Sequence, residues 1–387
     1  MVALLAIISV ALIAVIAVQI GKVVELAAKI RGEEEVQEMN NRRTAVWLMV
    51  FMVVFLVACV WSAIYYKNYM LGYGPHESAS EHGLSLDRIF NVTLFFTGIV
   101  FFLTQIALFY FSYKYRAVRG SKASFISHSN KLEIIWTAIP AVVMTLLVVG
   151  GLDVWNEVMA DVNPDEEYME IEATGFQFAW QLRYPGADGK LGGRDFRLIT
   201  GTNPLGQDWK DEKNWDDFQP DELVLPVGKK VRVRITAKDV LHDFYLPHFR
   251  VKMDAVPGMP TYFVFTPSKT TEEYRQELRK YPEYNVEDPN NEGKMLWETF
   301  EYELACAELC GAGHWNMRRI VRIVSQQEYD AWVANQSSFY VANIRNKDDD
   351  PLKGQKLRID PVEEAAAVAT DSTAVDTTAT APAEQPQ

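Results

Sequence analysis

Cysteine and histidine are scarce in this chain, with three of the first and six of the second among 387 residues. There is no C-x-x-C-H, so no c-type haem is attached covalently to it. No second histidine follows His314 closely, so the cysteine-rich stretch cannot by itself complete a Cys₂His₂ zinc clip. Past Arg358 there is no basic residue, only acids among Ala, Thr and Pro. Such a composition cannot bury a core, and 351–387 reads as an acidic disordered tail. Long apolar runs are absent after position 155.

Before that position they dominate. Four runs, Val2 to Ile20, Trp47 to Tyr66, Phe90 to Phe111 and Ile134 to Val154, are nearly free of charge. Each is about 20 residues long, enough at ~1.5 Å per residue to span a hydrocarbon core of roughly 30 Å. The first lacks a basic segment before it and a small-residue cleavage site after it, so it is expected to be retained. Lys22, Lys29, Arg31, Arg42 and Arg43 fall between runs one and two, and Lys114, Arg116, Arg119, Lys122 and Lys131 between runs three and four. The positive-inside rule makes both basic loops cytoplasmic and everything after Trp155 external.

From Glu170 the pattern changes. In VRVRI, valine and isoleucine alternate with Arg232 and Arg234, the period of a strand with one buried face. Several such segments, punctuated by Pro226, Gly228, Pro257, Gly258 and Pro260, predict an all-β domain, an antiparallel sandwich or small barrel. Two polar stretches, 203–221 and 270–294, read as surface insertions, the second opening with a short helix. They are solvated loops or an acidic docking face for a cationic protein.

One twelve-residue stretch, CAELCGAGHWNM, holds Cys306, Glu308, Cys310, His314 and Met317. Outside the cytoplasm the two cysteines could pair in a small disulfide loop. A zinc site needs another imidazole from elsewhere in the fold. His76, His82 and His128 lie in loops of the membrane part, which leaves His242 and His248. His242, expected to close a strand, is the better placed. A blue-copper site takes two histidines, one cysteine and a weak methionine, which would leave one thiolate over. Two coppers bridged by both thiolates would use the whole set, with a backbone carbonyl on the second metal.

The chain resembles subunit II of the haem–copper cytochrome c oxidases. The likeness runs from about Ser85 to Trp332. It is carried by Cys306-Ala-Glu308-Leu-Cys310 with His314 and Met317, by VLH and VKMDAVPG, by EIIWTAIP (133–140) and by GFQFAW (175–180). The resemblance implies a cupredoxin-like β-sandwich holding a dinuclear copper centre, Cu-A. Cys306 and Cys310 would bridge the metals, His242 and His314 bind through imidazole, Met317 weakly through sulfur, and Glu308 through its carbonyl. It further implies a magnesium ion shared with subunit I near Glu308 and Asp254, and a proton-pathway mouth at Glu133, an acid that equally suits a helix N-terminus. Electron entry falls at Phe178 and Trp180. The implied partners are subunit I, which holds the haem, the other oxidase subunits, and cytochrome c or a c-type haem domain as donor.

The family's first entry position is usually tryptophan, here Phe178, and the arginine usual after VPG is Met259. Family members typically have two membrane helices, so 1–66 adds two to the hairpin of 67–155. The added pair is expected to pack against other subunits or another respiratory complex. The domain itself spans 156–350. The expected setting is a bacterial-type cytoplasmic membrane, crossed several times, with the domain on the periplasmic side and no nucleic-acid partner. A quinol oxidase subunit would lack the copper ligands, nitrous-oxide reductase the membrane helices, and a copper chaperone would not require EIIWTAIP.

Overall fold

A computed structural model describes residues 2–66, 77–163 and 165–360. The four apolar runs lie in helices α1 (Val2–Arg31), α2 (Glu33–Tyr66), α3 (Gly83–Lys114) and α4 (Asn130–Val158). All four are long and apolar enough to cross a membrane. The first basic loop is not a loop. Lys22, Lys29 and Arg31 belong to α1 and Arg42 and Arg43 to α2, with Gly32 alone between them at φ +93°. Good helix formers carry both helices past the apolar runs. The second basic segment meets this corner, where Arg119 pairs with Glu34 at 3.3 Å and Asn41 donates to the Ala117 carbonyl at 3.4 Å. Both basic regions therefore share one side of the bundle, as the charge rule requires.

The domain after α4 is a sandwich of two sheets. The strands are β1 (Met169–Phe176), β2 (Ala179–Arg183), β3 (Leu223–Pro226), β4 (Val231–Ala237), β5 (His242–Leu246), β6 (Val251–Ala255), β7 (Thr261–Phe265), β8 (Tyr302–Cys306) and β9 (Arg319–Val324). One sheet has the order β2-β1-β4-β7 and the other β3-β9-β8-β5-β6. The sheets are mixed, not antiparallel throughout: β1 runs parallel to β4, and β3 to β9. Parallel neighbours need a long crossover, and the 184–230 excursion, which lays β3 into the opposite sheet, supplies it between β1 and β4. The alternation in β4 is real, with Val231, Val233, Ile235 and Ala237 buried. They meet Trp180, Phe244, Phe249 and Tyr302 in the core between the sheets.

Three expectations are corrected. Segment 203–221 is not a solvated loop, because Trp209 and Trp215 are buried with Tyr340, Ile344 and Leu357 in a second core. Its Asp217 is withdrawn from any acidic surface and pairs with buried Arg183 at 3.0 Å, while Glu172 takes the same guanidinium at 2.7 Å. In 270–294 the short helix forms, α5 (Thr271–Leu278), closed by a Thr270/Glu273 capping box. It buries Tyr274 and Leu278 in the main core, so only the remainder is largely exposed. Packed chain also runs ten residues beyond position 350: Leu357 is buried and Asp360 pairs with Arg345 at 2.7 Å. Residues 361–387 lie outside the described residues.

Domain and hairpin are fastened twice. Besides the covalent link after α4, the segment before α3 joins the domain: Ala79 donates to the His248 carbonyl at 2.8 Å and Ser268 to the Ala79 carbonyl at 2.8 Å. At the first turns of α3, Asp87 takes Arg250 in a two-toothed pair at 2.7 and 3.1 Å.

Candidate metal centre

His242 opens β5 rather than closing a strand, and Cys306 ends β8, the neighbour of β5 in the same sheet. Register brings them together, since Phe244 on β5 faces Cys306 on β8. A ligand atom from each of His242, Cys306 and Cys310 lies within 4.8 Å of the others, and all three residues are buried. His242 Nδ1 is 3.9 Å from Cys306 Sγ, and the two sulfurs are 3.9 Å apart. Both thiols are free, so the disulfide alternative does not describe this structure.

The remaining donors close around them. His314 Nδ1 lies 3.6 Å from Cys310 Sγ, Met317 Sδ 3.2 Å from the same sulfur, and the Glu308 carbonyl oxygen 3.2 Å from Cys306 Sγ. A short 3₁₀ turn at His314–Asn316 lets the chain place His314 and Met317 on one side. Two thiols, two imidazoles, a thioether and a carbonyl thus face one small volume. That donor chemistry suits a soft metal and fits copper. Burial, and then the neighbouring Cys306, push the Cys310 thiol up to about 11. A bound cation reverses this, because it deprotonates the thiols it ligates.

Other predicted residues fall at graded distances from the cluster. Phe178 sits in the β1–β2 turn, 37% exposed, flat against the 311–313 backbone. A Cβ on Gly313 would come within 2.4 Å of its ring, so only glycine admits this contact. Trp180 is fully buried on β2, its ring edge-on to His242 at 6.2 Å. It lies behind the histidine and offers no surface to a donor. Asp254 is exposed on edge strand β6, directly opposite Asp243 on β5. Burial, then the charges of Asp254 and Glu308, raise Asp243 to about 6 against the pull of Lys252, so these carboxylates share one neighbourhood. Met259 is exposed beyond them. Glu133 lies in the first turn of α4 and accepts the Ser129 N–H at 3.1 Å.

Two further residues, absent from the predicted set, brace the cluster. Asp239 Oδ1 lies 2.9 Å from His242 Nε2, and the Gln177 side chain donates to the Cys310 carbonyl at 2.7 Å. A carboxylate three positions before the histidine, in K-D-V-L-H, was the available signal. Burial opposes ionisation of Asp239, but hydrogen bonds from the Gln177 N–H, His242 and the Val240 N–H outweigh it and hold the carboxyl below its usual range.

The chain matches two family models: cytochrome c oxidase subunit II, transmembrane domain, over residues 69–154, and cytochrome c oxidase subunit II, periplasmic domain, over 169–276. It is 33% identical over 263 residues to the alternative cytochrome c oxidase subunit 2 of Bradyrhizobium diazoefficiens, covering 67% of this chain and 83% of that one. It is 25% identical over 318 residues to cytochrome c oxidase subunit 2 of Thermostichus vulcanus, covering 76% and 86%. The solved periplasmic domain of subunit II of cytochrome oxidase from Bradyrhizobium japonicum aligns at 26% identity and a TM-score of 0.26, over 44% of this chain and 93% of that one. The chain belongs to the cytochrome c oxidase subunit II family. It is a membrane protein whose sandwich corresponds to that family's periplasmic, cupredoxin-like domain, and its His/Cys/Cys cluster is consistent with a copper site.

Proposed function

We propose that this chain is the electron-input subunit of a terminal respiratory oxidase in a bacterial-type cytoplasmic membrane. It accepts electrons on the periplasmic side from cytochrome c or a c-type haem domain and passes them to haem in subunit I. Oxygen reduction and the coupled proton pumping belong to that partner. The observation that carries the reading is the convergence of Cys306, Cys310, His242, His314, Met317 and the Glu308 carbonyl on one small volume. A dinuclear copper centre bound there would supply one-electron exchange without needing an open coordination position.

The chain's own residues set the terms of that exchange. Cys306 and Cys310 would hold a copper pair as thiolates, and His242 and His314 would ligate it through imidazole nitrogen. The β5 backbone fixes His242 and the end of β8 fixes Cys306, while Cys310 and His314 sit on the stretch that follows β8, its Cys310 carbonyl gripped by Gln177. Phe178 is the ring through which electrons enter, with Trp180 packed behind His242 as internal support of the route. Glu308 turns its carbonyl to the copper site and its exposed side chain outward, toward a magnesium ion shared with subunit I, with Asp254 beside it. Glu133 stands at the mouth of a proton pathway into subunit I. The two added helices, α1 and α2, pack against other oxidase subunits or another respiratory complex.

The test is to purify the oxidase complex from copper-replete cells and measure metal content and electron spin resonance. About two coppers at this subunit, with one unpaired electron shared over both, is the expected result. Zinc alone, or a single copper with a localised spectrum, would overturn the reading.

A further inference from the structure

We propose that Asp239 and Gln177 are positioning residues of the candidate copper site, with the Asp239 carboxylate fixing the tautomer of His242 and lowering the site's reduction potential. The inference rests on the copper reading above. Asp239 stands in the β4–β5 turn, and its Oδ1 lies 2.9 Å from His242 Nε2. An ionised carboxylate only accepts hydrogen bonds, so Nε2 must carry the proton. In the neutral ring the lone pair is then on Nδ1, the atom 3.9 Å from Cys306 Sγ.

The carboxylate is itself held from two turns. Oδ1 accepts the Val240 N–H at 2.7 Å and Oδ2 the Gln177 N–H at 2.8 Å. Through its side chain Gln177 then grips the Cys310 carbonyl at 2.7 Å. One hydrogen-bonded clasp therefore joins the β1–β2 turn, the β4–β5 turn that leads into His242, and the 306–317 stretch that carries both thiols and His314. Partners of this kind orient a ligating imidazole and raise its basicity.

The charge has a sign. An anion one ring away from the metals favours their more positive, oxidised state. The adjacent cation forms no direct ion pair with it: Lys238 Nζ donates to Gln181 Oε1 at 2.7 Å and lies over the Phe176 ring. If Asp239 only closed its turn, its removal would cost stability and leave the potential alone.

The experiment compares wild type, Asp239→Asn, Asp239→Ala and Gln177→Leu in the purified oxidase complex, by potentiometric titration of the copper signal. Asp239→Asn, isosteric and uncharged, should retain copper and favour the reduced state about tenfold, which is 59 mV for one electron. Asp239→Ala should shift the same way and lose copper affinity by about 10–100-fold. Gln177→Leu should lower copper retention with a smaller change of potential. An Asp239→Asn complex with full copper and an unmoved potential overturns the electrostatic role. In the metal-free full chain, nitrogen NMR of labelled histidine should report the neutral His242 ring protonated at Nε2, and a neutral ring protonated at Nδ1 instead overturns the orienting role. A wild-type complex lacking the copper pair overturns the copper reading, and the metal-free tautomer still decides whether Asp239 orients His242.

Discussion

Gly175 on β1 and His242 on β5 occupy one packing volume: a Cβ on the glycine would lie 2.9 Å from the histidine Cδ2. The opposite sheet therefore leaves out a side chain so that the imidazole can lie against its backbone. Gly175→Ala must push the ring toward the thiols or open the sandwich. Overpacking of this kind costs about 1–3 kcal/mol. We expect a lower melting temperature and weaker copper retention together, read by calorimetry and metal analysis of the same preparation.

Met317 is fully buried with its sulfur 3.2 Å from Cys310. Met317→Leu keeps volume and shape, so the fold should lose less than about 1.5 kcal/mol. Removing a weak ligand should nevertheless alter the spectrum and raise or lower the potential with copper still bound. Cys306→Ser, by contrast, should abolish the paired-copper signature altogether. Identical spectra for Met317→Leu and wild type would remove the thioether from the site.

Phe178 supplies no donor atom to the cluster, so Phe178→Leu should leave the copper spectrum intact. As the proposed entry ring it should slow reduction by a c-type donor, measured by stopped flow. Unchanged donor kinetics would take Phe178 off the route.

Asp217 gives a pH dependence. Burial raises its carboxyl to about 7 in spite of Arg183. A carboxyl raised on folding takes up a proton, so its contribution is fully present below the unfolded value of 3.8 and is lost as pH climbs through about 7. Asp217→Asn should flatten that loss. Its melting temperature should fall less than wild type's between pH 5 and pH 8, as thermal unfolding across that range will show.

Truncation tests the packing of residues 351–360. Stopping after Asp350 removes buried Leu357 and the Asp360 partner of Arg345. That should cost about 2 kcal/mol, the scale for burying one leucine, and uncover part of the surface around Trp215.

Much of this architecture was legible in the sequence because its signals are local. Four apolar runs specify helices by length, and VRVRI specifies a half-buried strand by period. The ligand types were legible too, since few side chains bind soft metals. What escaped was non-local. Parallel pairing of β1 with β4 depends on a crossover that no window of residues displays. Charged neighbours hid Trp209 and Trp215, whose burial depends on Tyr340 and Leu357 more than a hundred residues away. Asp239 escaped because its contact with His242 exists only once the β4–β5 turn is closed.

The double fastening of the domain has a consequence for rate. Electron tunnelling falls steeply with distance, and a domain hung on a single linker would sample many separations from the membrane. Here Ala79 is stitched between His248 and Ser268, and Arg250 grips Asp87 on α3. Those contacts restrain rotation about the α4 linker. Under the electron-input role proposed above, the gap an electron crosses toward the membrane is then set by the fold rather than by swinging of the domain.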